Sequence, residues 1–227
     1  MSDRLKLVIF DVDGTLVDSQ GAIVSSMAAA FAAVDRPLPD RQTLLSVVGL
    51  SLDRVFPVLA GDEPPARQAR MVEAYKHAYM TDRATQGVAA SAPFYPGALE
   101  LLRELQAVPH VLLGIATGKS RRGLDKMIEG HGLEGLFVTQ QVADFHPSKP
   151  HPSMIHQALA DAGVGPEDAV MVGDTSFDME MAAAAGVPGI GVGWGYHGRD
   201  RLAAARVIVE DYAGLRAELD QMWSVFA

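Results

Sequence analysis

Leu5-Lys6-Leu7-Val8-Ile9-Phe10-Asp11-Val12-Asp13-Gly14-Thr15 carries an apolar run that stops abruptly at two aspartates and a glycine. A run this short, apolar at consecutive rather than alternate positions, predicts a strand buried on both faces, as in the centre of a parallel sheet. Runs of the same kind recur at Val111–Ala116, Ala169–Val172, Gly189–Val192 and Val207–Val209, with a further strand expected near Phe137–Val142. Between them lie helical patterns at Pro96–Gln106, Arg121–His131, Pro152–Ala162 and Phe177–Ala185. Strands and helices that alternate in this way fold through right-handed crossovers, so the expected class is α/β, with a doubly wound, Rossmann-like parallel sheet.

The stretch from 17 to 90 departs from that rhythm. Helices are expected at Ala22–Val34, Arg41–Val47, Leu52–Ala60 and Pro65–Asp82 with no strand among them, and Gly87–Pro96 reads as a return linker. Residues 17–90 are therefore expected to form an inserted α-helical domain, leaving 1–16 and 91–227 as the α/β core.

Composition narrows the chemistry. With 227 residues, 48% of them hydrophobic and 21% charged, the chain has ordinary globular content. It has no cysteine, which excludes disulfides, thiolate metal sites and a cysteine nucleophile. A net charge of −9 argues against nucleic acid as a partner but not against a small anionic substrate, because a metal ion or a local cation can reverse the field inside a cleft. Met1-Ser2-Asp3-Arg4-Leu5-Lys6 and the short run after it suit neither a secretory leader nor a membrane span, so a cytoplasmic protein with no membrane partner is expected. Nothing in the composition speaks to oligomeric state.

In an open parallel sheet, ligands collect at the carboxyl ends of the strands. There the sequence places Asp11, Asp13, Gly14 and Thr15 after the first run, Thr117-Gly118-Lys119 after the second, and Asp174 with Asp178 after the run at 169–172; Lys149 precedes Pro150 in a loop. Two carboxylates at positions i and i+2 of a strand end repel each other unless a cation lies between them. A bound Mg²⁺ would hold Asp11 ionised as a nucleophile and leave Asp13 free to move a proton, with Asp174 adding a hard oxygen and Asp178 orienting the shell. Gly14 lets the chain turn so that backbone N–H groups face an anion, and Thr117 and Lys149 can stabilise a transferring phosphoryl group.

Several other patterns fall away. Gly193-Trp194-Gly195-Tyr196-His197-Gly198 matches a dinucleotide fingerprint but lies too near the carboxyl end for the rest of such a fold to follow. Gly118-Lys119-Ser120 fails as a P-loop because Leu113 stands where its first glycine must be. His146, His151 and His156 have no zinc spacing and are expected in a solvent-facing loop. The link Gly49–Arg54 can dip into the cleft, while Arg54 itself reads as a solvent-exposed helix residue.

Taken in order, Asp11-Val12-Asp13-Gly14-Thr15, Thr117-Gly118, Lys149-Pro150 and Gly173-Asp174-Thr175-Ser176-Phe177-Asp178 resemble the four motifs of the haloacid dehalogenase-like hydrolase superfamily. The resemblance spans nearly the whole chain. The inserted helices resemble the α-helical cap of the subgroup containing phosphoglycolate phosphatases, pyrophosphatases, sugar phosphatases and β-phosphoglucomutases. Pro93–Leu105, Lys149–Pro152 and Val192–Arg199 look like the phosphoglycolate phosphatase branch. The resemblance implies a Mg²⁺-dependent phosphatase acting on a small phosphorylated substrate through an aspartyl phosphate. Asp11 would be the nucleophile, Asp13 the general acid and base, and Thr117 and Lys149 the phosphate stabilisers. Asp11, Asp13 (through its backbone) and Asp174 would bind the metal, with Asp178 behind them, and Gly14, Thr15, Gly118 and Lys119 would complete the substrate-binding groups. A phosphomutase, a pyrophosphatase and a non-catalytic binding protein on the same fold are the alternatives.

Overall fold

A computed structural model describes residues 4–226, so Met1, Ser2 and Asp3 of the amino-terminal reading lie outside the described residues. Six strands, β1 (Lys6–Phe10), β2 (Val111–Thr117), β3 (Thr139–Val142), β4 (Ala169–Gly173), β5 (Gly189–Val192) and β6 (Val207–Val209), form one sheet in the order β3-β2-β1-β4-β5-β6. Every neighbouring pair is parallel. The chain winds outward from β1 to β3, then returns to the other side of β1 at β4, so the topological switch point lies between β1 and β4.

The consecutive apolar residues of β1 are explained by cores on both sides. Val8 and Phe10 pack with α6 (Ala98–Gln106), α7 (Arg121–His131) and α10 (Tyr212–Trp223), while Leu7 and Ile9 pack with α8 (Ser153–Ala162) and α9 (Ser176–Ala184). A one-residue slip would leave both faces apolar, so register is held instead by the strand-end polar groups and by the neighbours β2 and β4.

The insertion holds α1 (Gln20–Ala32), α2 (Arg41–Leu45), α3 (Leu52–Leu59) and α4 (Pro65–Gln86) around a separate core that includes Phe31, Leu44, Phe56 and Met71. Its two connections to the sheet run side by side: Asp18 N–H donates to Pro93 O at 2.8 Å and Tyr95 N–H to Leu16 O at 3.0 Å. This antiparallel bridge, centred on Val17 and Phe94, ties the insertion's entry and exit together.

The structure departs from the sequence expectations in several places, one of them His156, which sits on α8 rather than in a loop. Helix α4 runs on to Gln86, because no proline or glycine interrupts it before Gly87. The return linker contains a short helix, α5 (Val88–Ser91), whose Val88 packs tightly against Gly130 of α7. Helix α10 was not expected; Asp211 caps it by accepting from Gly214 N–H at 2.7 Å. His146 is not a solvent-facing loop residue, since its ring nitrogens contact Gln141 Oε1 at 2.9 Å and Ser153 Oγ at 2.8 Å.

Candidate active site

Strand β1 delivers Asp11 to the switch point. Its backbone N–H donates to Val172 O at 2.9 Å, continuing the pairing with β4, and its side chain is 1% exposed. The chain then turns hard, with Leu16 and Val17 N–H both donating to Val12 O and Gly14 at φ 83°. Only glycine fits there, because a Cβ would stand 2.2 Å from Asp174 Oδ2. Strand β4 delivers Asp174, which is fully buried; its Oδ1 accepts from Thr15 Oγ1 at 3.0 Å and its Oδ2 from Tyr196 N–H at 2.8 Å.

Lys149 reaches the same place from the loop between β3 and α8. It is 2% exposed, and its ammonium lies 2.9 Å from Asp11 Oδ1 and 2.6 Å from Asp178 Oδ1. Asp178 has a double task. Its other oxygen accepts from Thr175 N–H at 3.1 Å and Thr175 Oγ1 at 2.7 Å, closing a capping box at the start of α9. The sheet thus brings Asp11, Asp174 and Asp178 together, with one carboxylate oxygen from each within 4.8 Å of the others.

Asp13 points elsewhere. Its Oδ1 pairs with Lys119 Nζ at 2.7 Å and also takes the Ser19 hydroxyl, while Lys119 in turn donates to Tyr79 Oη at 3.1 Å from the inserted domain. Thr117 is buried at the end of β2, and Gly118 beside it lets the inserted domain close, because a Cβ there would stand 2.6 Å from Gly49 O. The link through Gly49 therefore dips onto the core as expected, whereas Arg54 is exposed.

Electrostatics single out Asp11. Burial pushes its carboxyl up to about 7, against the lowering effect of Lys149, and the Asp178 charge adds to the rise. Burial, followed by Asp178 and Asp11, also drives Asp174 well above the carboxylate range. Burial pulls Lys149 down, but Asp11 and Asp178 more than offset it and hold the ammonium charged. Although Lys149 stands in ion-pair range, neither Asp11 oxygen accepts a hydrogen bond from the described residues. Three clustered carboxylates facing one ammonium, one of them with both oxygens unsatisfied, fit a hard divalent cation such as Mg²⁺.

The carboxyl-terminal glycine-rich loop, set aside as a dinucleotide site, closes over this cluster. Gly195 passes so near Asp174 that a Cβ would stand 2.1 Å from the aspartate's own. Tyr196 Oη lies 3.2 Å from Ser19 Oγ, and buried His197 accepts from Ser176 N–H at 3.0 Å through Nδ1. Ser19, Tyr79, Tyr196 and His197 escaped the sequence reading. For the loop residues, its position just after β5, at the same sheet end as Asp11, was the signal available.

The family profile described as haloacid dehalogenase-like hydrolase matches residues 8–192. The chain belongs to the haloacid dehalogenase-like hydrolase family. The protein named Probable phosphatase IndB from Dickeya dadantii is 36% identical over 91% of this chain and 90% of its own. A phosphoglycolate phosphatase from Rhodospirillum rubrum is 33% identical over 92% and 89%. The solved haloacid dehalogenase-like family hydrolase from Streptococcus pneumoniae superposes with a TM-score of 0.81 at 26% identity, covering 96% of this chain and 100% of that one. As in that family, the haloacid dehalogenase-like core here is a parallel sheet carrying an inserted helical cap, and no helix among the described residues is long and apolar enough to cross a membrane.

His197 links this core to the cap. Nδ1 already accepts a hydrogen bond, so the proton sits on Nε2, which donates to Ser46 O at 3.1 Å. Burial, helped by Arg201, lowers its pKa to about 4. Between that value and an unfolded value of about 6.5, the unfolded chain binds the extra proton, so the contribution to stability is complete above 6.5 and is lost as pH falls towards 4. Allowing for solvent screening, roughly 1–2 kcal/mol is at stake. Urea midpoints measured from pH 4 to 7 should fall less steeply in His197→Gln than in the wild type; equal slopes would exclude His197 as the source.

Proposed function

We propose that the protein is a Mg²⁺-dependent phosphatase that hydrolyses phosphate monoesters, with Asp11 as nucleophile, residues 17–90 as cap, and 1–16 with 91–227 as core. The observation that carries the reading is Asp11 itself: a buried carboxylate at the switch point, with both oxygens free of hydrogen bonds.

An Asp11 oxygen attacks phosphorus as the bond to the leaving oxygen breaks, and Asp13 gives that oxygen a proton. Asp13 then takes a proton from water, whose oxygen bonds to phosphorus and frees Asp11. Lys149 holds Asp11 in place and faces the negative charge of the transferring group, while Thr117 offers it a hydrogen bond; contrary to the sequence expectation, the N–H groups of Gly14 and Thr15 are spent within the turn, on Val17 O and Val12 O. Lys119 and Ser19 fix the orientation of Asp13. Asp11, Asp174 and the Asp13 carbonyl would hold Mg²⁺, which would supply positive charge to the phosphoryl oxygens, with Asp178 oriented behind them. The acidic, cysteine-free composition suits a cytoplasmic enzyme acting on a small phosphorylated metabolite.

Phosphate release from p-nitrophenyl phosphate should require Mg²⁺ and cease on chelation; full activity in the chelator would reject the reading. Release of inorganic phosphate, rather than its return to a second sugar hydroxyl, separates hydrolysis from the phosphomutase alternative. Gly195→Ala tests the metal assignment, because its methyl group must displace Asp174. The half-saturating Mg²⁺ concentration should rise about tenfold to a hundredfold, with activity recovering at high Mg²⁺. An unchanged Mg²⁺ requirement would remove Asp174 from the ligand set.

A further inference from the structure

We propose that the alcohol released by this enzyme carries an uncharged, apolar body of about the size of an aromatic ring, held by the cap, rather than the two-carbon carboxylate of glycolate. For the phosphate end of the molecule, the inference rests on the phosphatase reading above.

The space beyond the phosphate is a cavity of about 800 Å³ between cap and core, with Asp11, Asp13, Thr117 and Lys119 at its base. Cavities of roughly 300–1,000 Å³ take ligands of drug size, and a two-carbon acid would leave most of this one filled with water against apolar walls. Those walls come from the cap. Val72, Tyr75 and Tyr79 recur at three- and four-residue spacing on one face of α4, and Met27, Val48 and Leu50 face them from α1 and the link before α3. Tyr75 and Tyr79 stack with ring centroids 6.0 Å apart at an interplanar angle of 19°, and Phe56 supports Tyr75 edge-on at 6.4 Å. A flat apolar group has a prepared surface there.

The cavity is not a cleft left by an open cap. Ser51 N–H donates to Ser148 Oγ at 3.0 Å, His197 Nε2 reaches Ser46 O at 3.1 Å, and Lys119 reaches Tyr79 at 3.1 Å, so the cap is already seated on the core. The charges around the cavity also disfavour a second anion. Of the lysines and arginines that line it, Lys119 is committed to Asp13 and Tyr79, Lys76 is exposed and paired with Glu73, Arg83 donates to Gly123 O at 3.5 Å, and Arg122 is exposed to solvent, which screens its charge. Asp13, Asp53, Glu73 and Asp144 also border the space and would repel a substrate carboxylate.

The test separates binding from turnover. With Mg²⁺ present, the wild-type protein should bind the non-hydrolysable 3-phenylpropylphosphonate about tenfold or more tightly than 3-phosphonopropionate, measured by titration calorimetry. Val72→Arg should reverse that order. Equal affinities in the wild type, or tighter binding of 3-phosphonopropionate, would overturn the inference even if phosphate release from simple esters stands. The predicted order of binding without phosphate release from 2-phenylethyl phosphate would uphold the inference and overturn the phosphatase reading alone.

Discussion

Asp11→Asn is expected to lower phosphate release from any accepted ester by about 10⁴-fold or more, with the fold intact. The size follows from the absence of a substitute. An amide oxygen is a poor nucleophile, and Asp174 and Asp178 are already engaged: Asp174 with Thr15 and Tyr196, Asp178 with Lys149 and Thr175. Asp13 is held by Lys119 and Ser19. The variant should fold, because Lys149 keeps its partner Asp178 at 2.6 Å and the side chain exchanges a buried carboxyl for a neutral group of the same shape. Asp13→Asn supplies the contrast. If Asp13 serves the second step, phosphate should remain on Asp11 in that variant and be detectable as a protein mass increase after a rapid acid quench. Turnover by Asp11→Asn within about tenfold of the wild type would move the nucleophile elsewhere.

How much of this site could be read from the sequence depended on where the information lay. Asp11 and Thr117 directly follow an apolar run and Asp174 follows one after Gly173, so the rule that ligands gather at strand ends places them on one edge. The two cores that sandwich β1 made that run unusually plain, since Leu7, Val8, Ile9 and Phe10 all had to be apolar. Ser19, Tyr79 and Tyr196 had no such marker. Ser19 and Tyr196 meet across 177 positions, and Tyr79 meets Lys119 only because the cap folds back over the core. Local patterns cannot encode those encounters. Asp178, expected to orient the charged shell, also caps its helix, one oxygen facing Lys149 and the other Thr175. Helix α10 was missed for a third reason: its apolar stripe is thin, essentially Tyr212, Leu215 and Leu219 among charged neighbours, and becomes convincing only against α6.

Replacing Lys149 by methionine should be the most damaging change outside the nucleophile, and its signature should depend on pH. Methionine preserves an unbranched apolar stem in a site that is 2% exposed, so packing is largely kept and the loss is of charge. Among the described residues, that charge is the one ammonium contacting Asp11 and Asp178, with Asp174 buried beside them. Without it, burial and mutual repulsion drive the Asp11 and Asp174 carboxyls further up, and Asp11, already near 7, becomes largely neutral at neutral pH. A neutral carboxyl does not attack phosphorus, and the transferring group also loses its facing cation; together these should lower kcat/KM by about 10²–10³-fold. In the metal-free protein the same change should cost about 3–5 kcal/mol near neutrality. The raised carboxyls bind more protons in the folded state than in the unfolded one, so stability must fall as pH rises through their folded values. The difference from the wild type should therefore be small near pH 4 and widen towards pH 8, while residual activity moves the opposite way as Asp11 ionises. Mg²⁺ should restore more stability to Lys149→Met than to the wild type, because it returns positive charge to the same three carboxylates. Urea midpoints across pH 4–8, with and without Mg²⁺, measure both trends; a difference that stayed constant with pH would show that Lys149 acts through packing rather than charge.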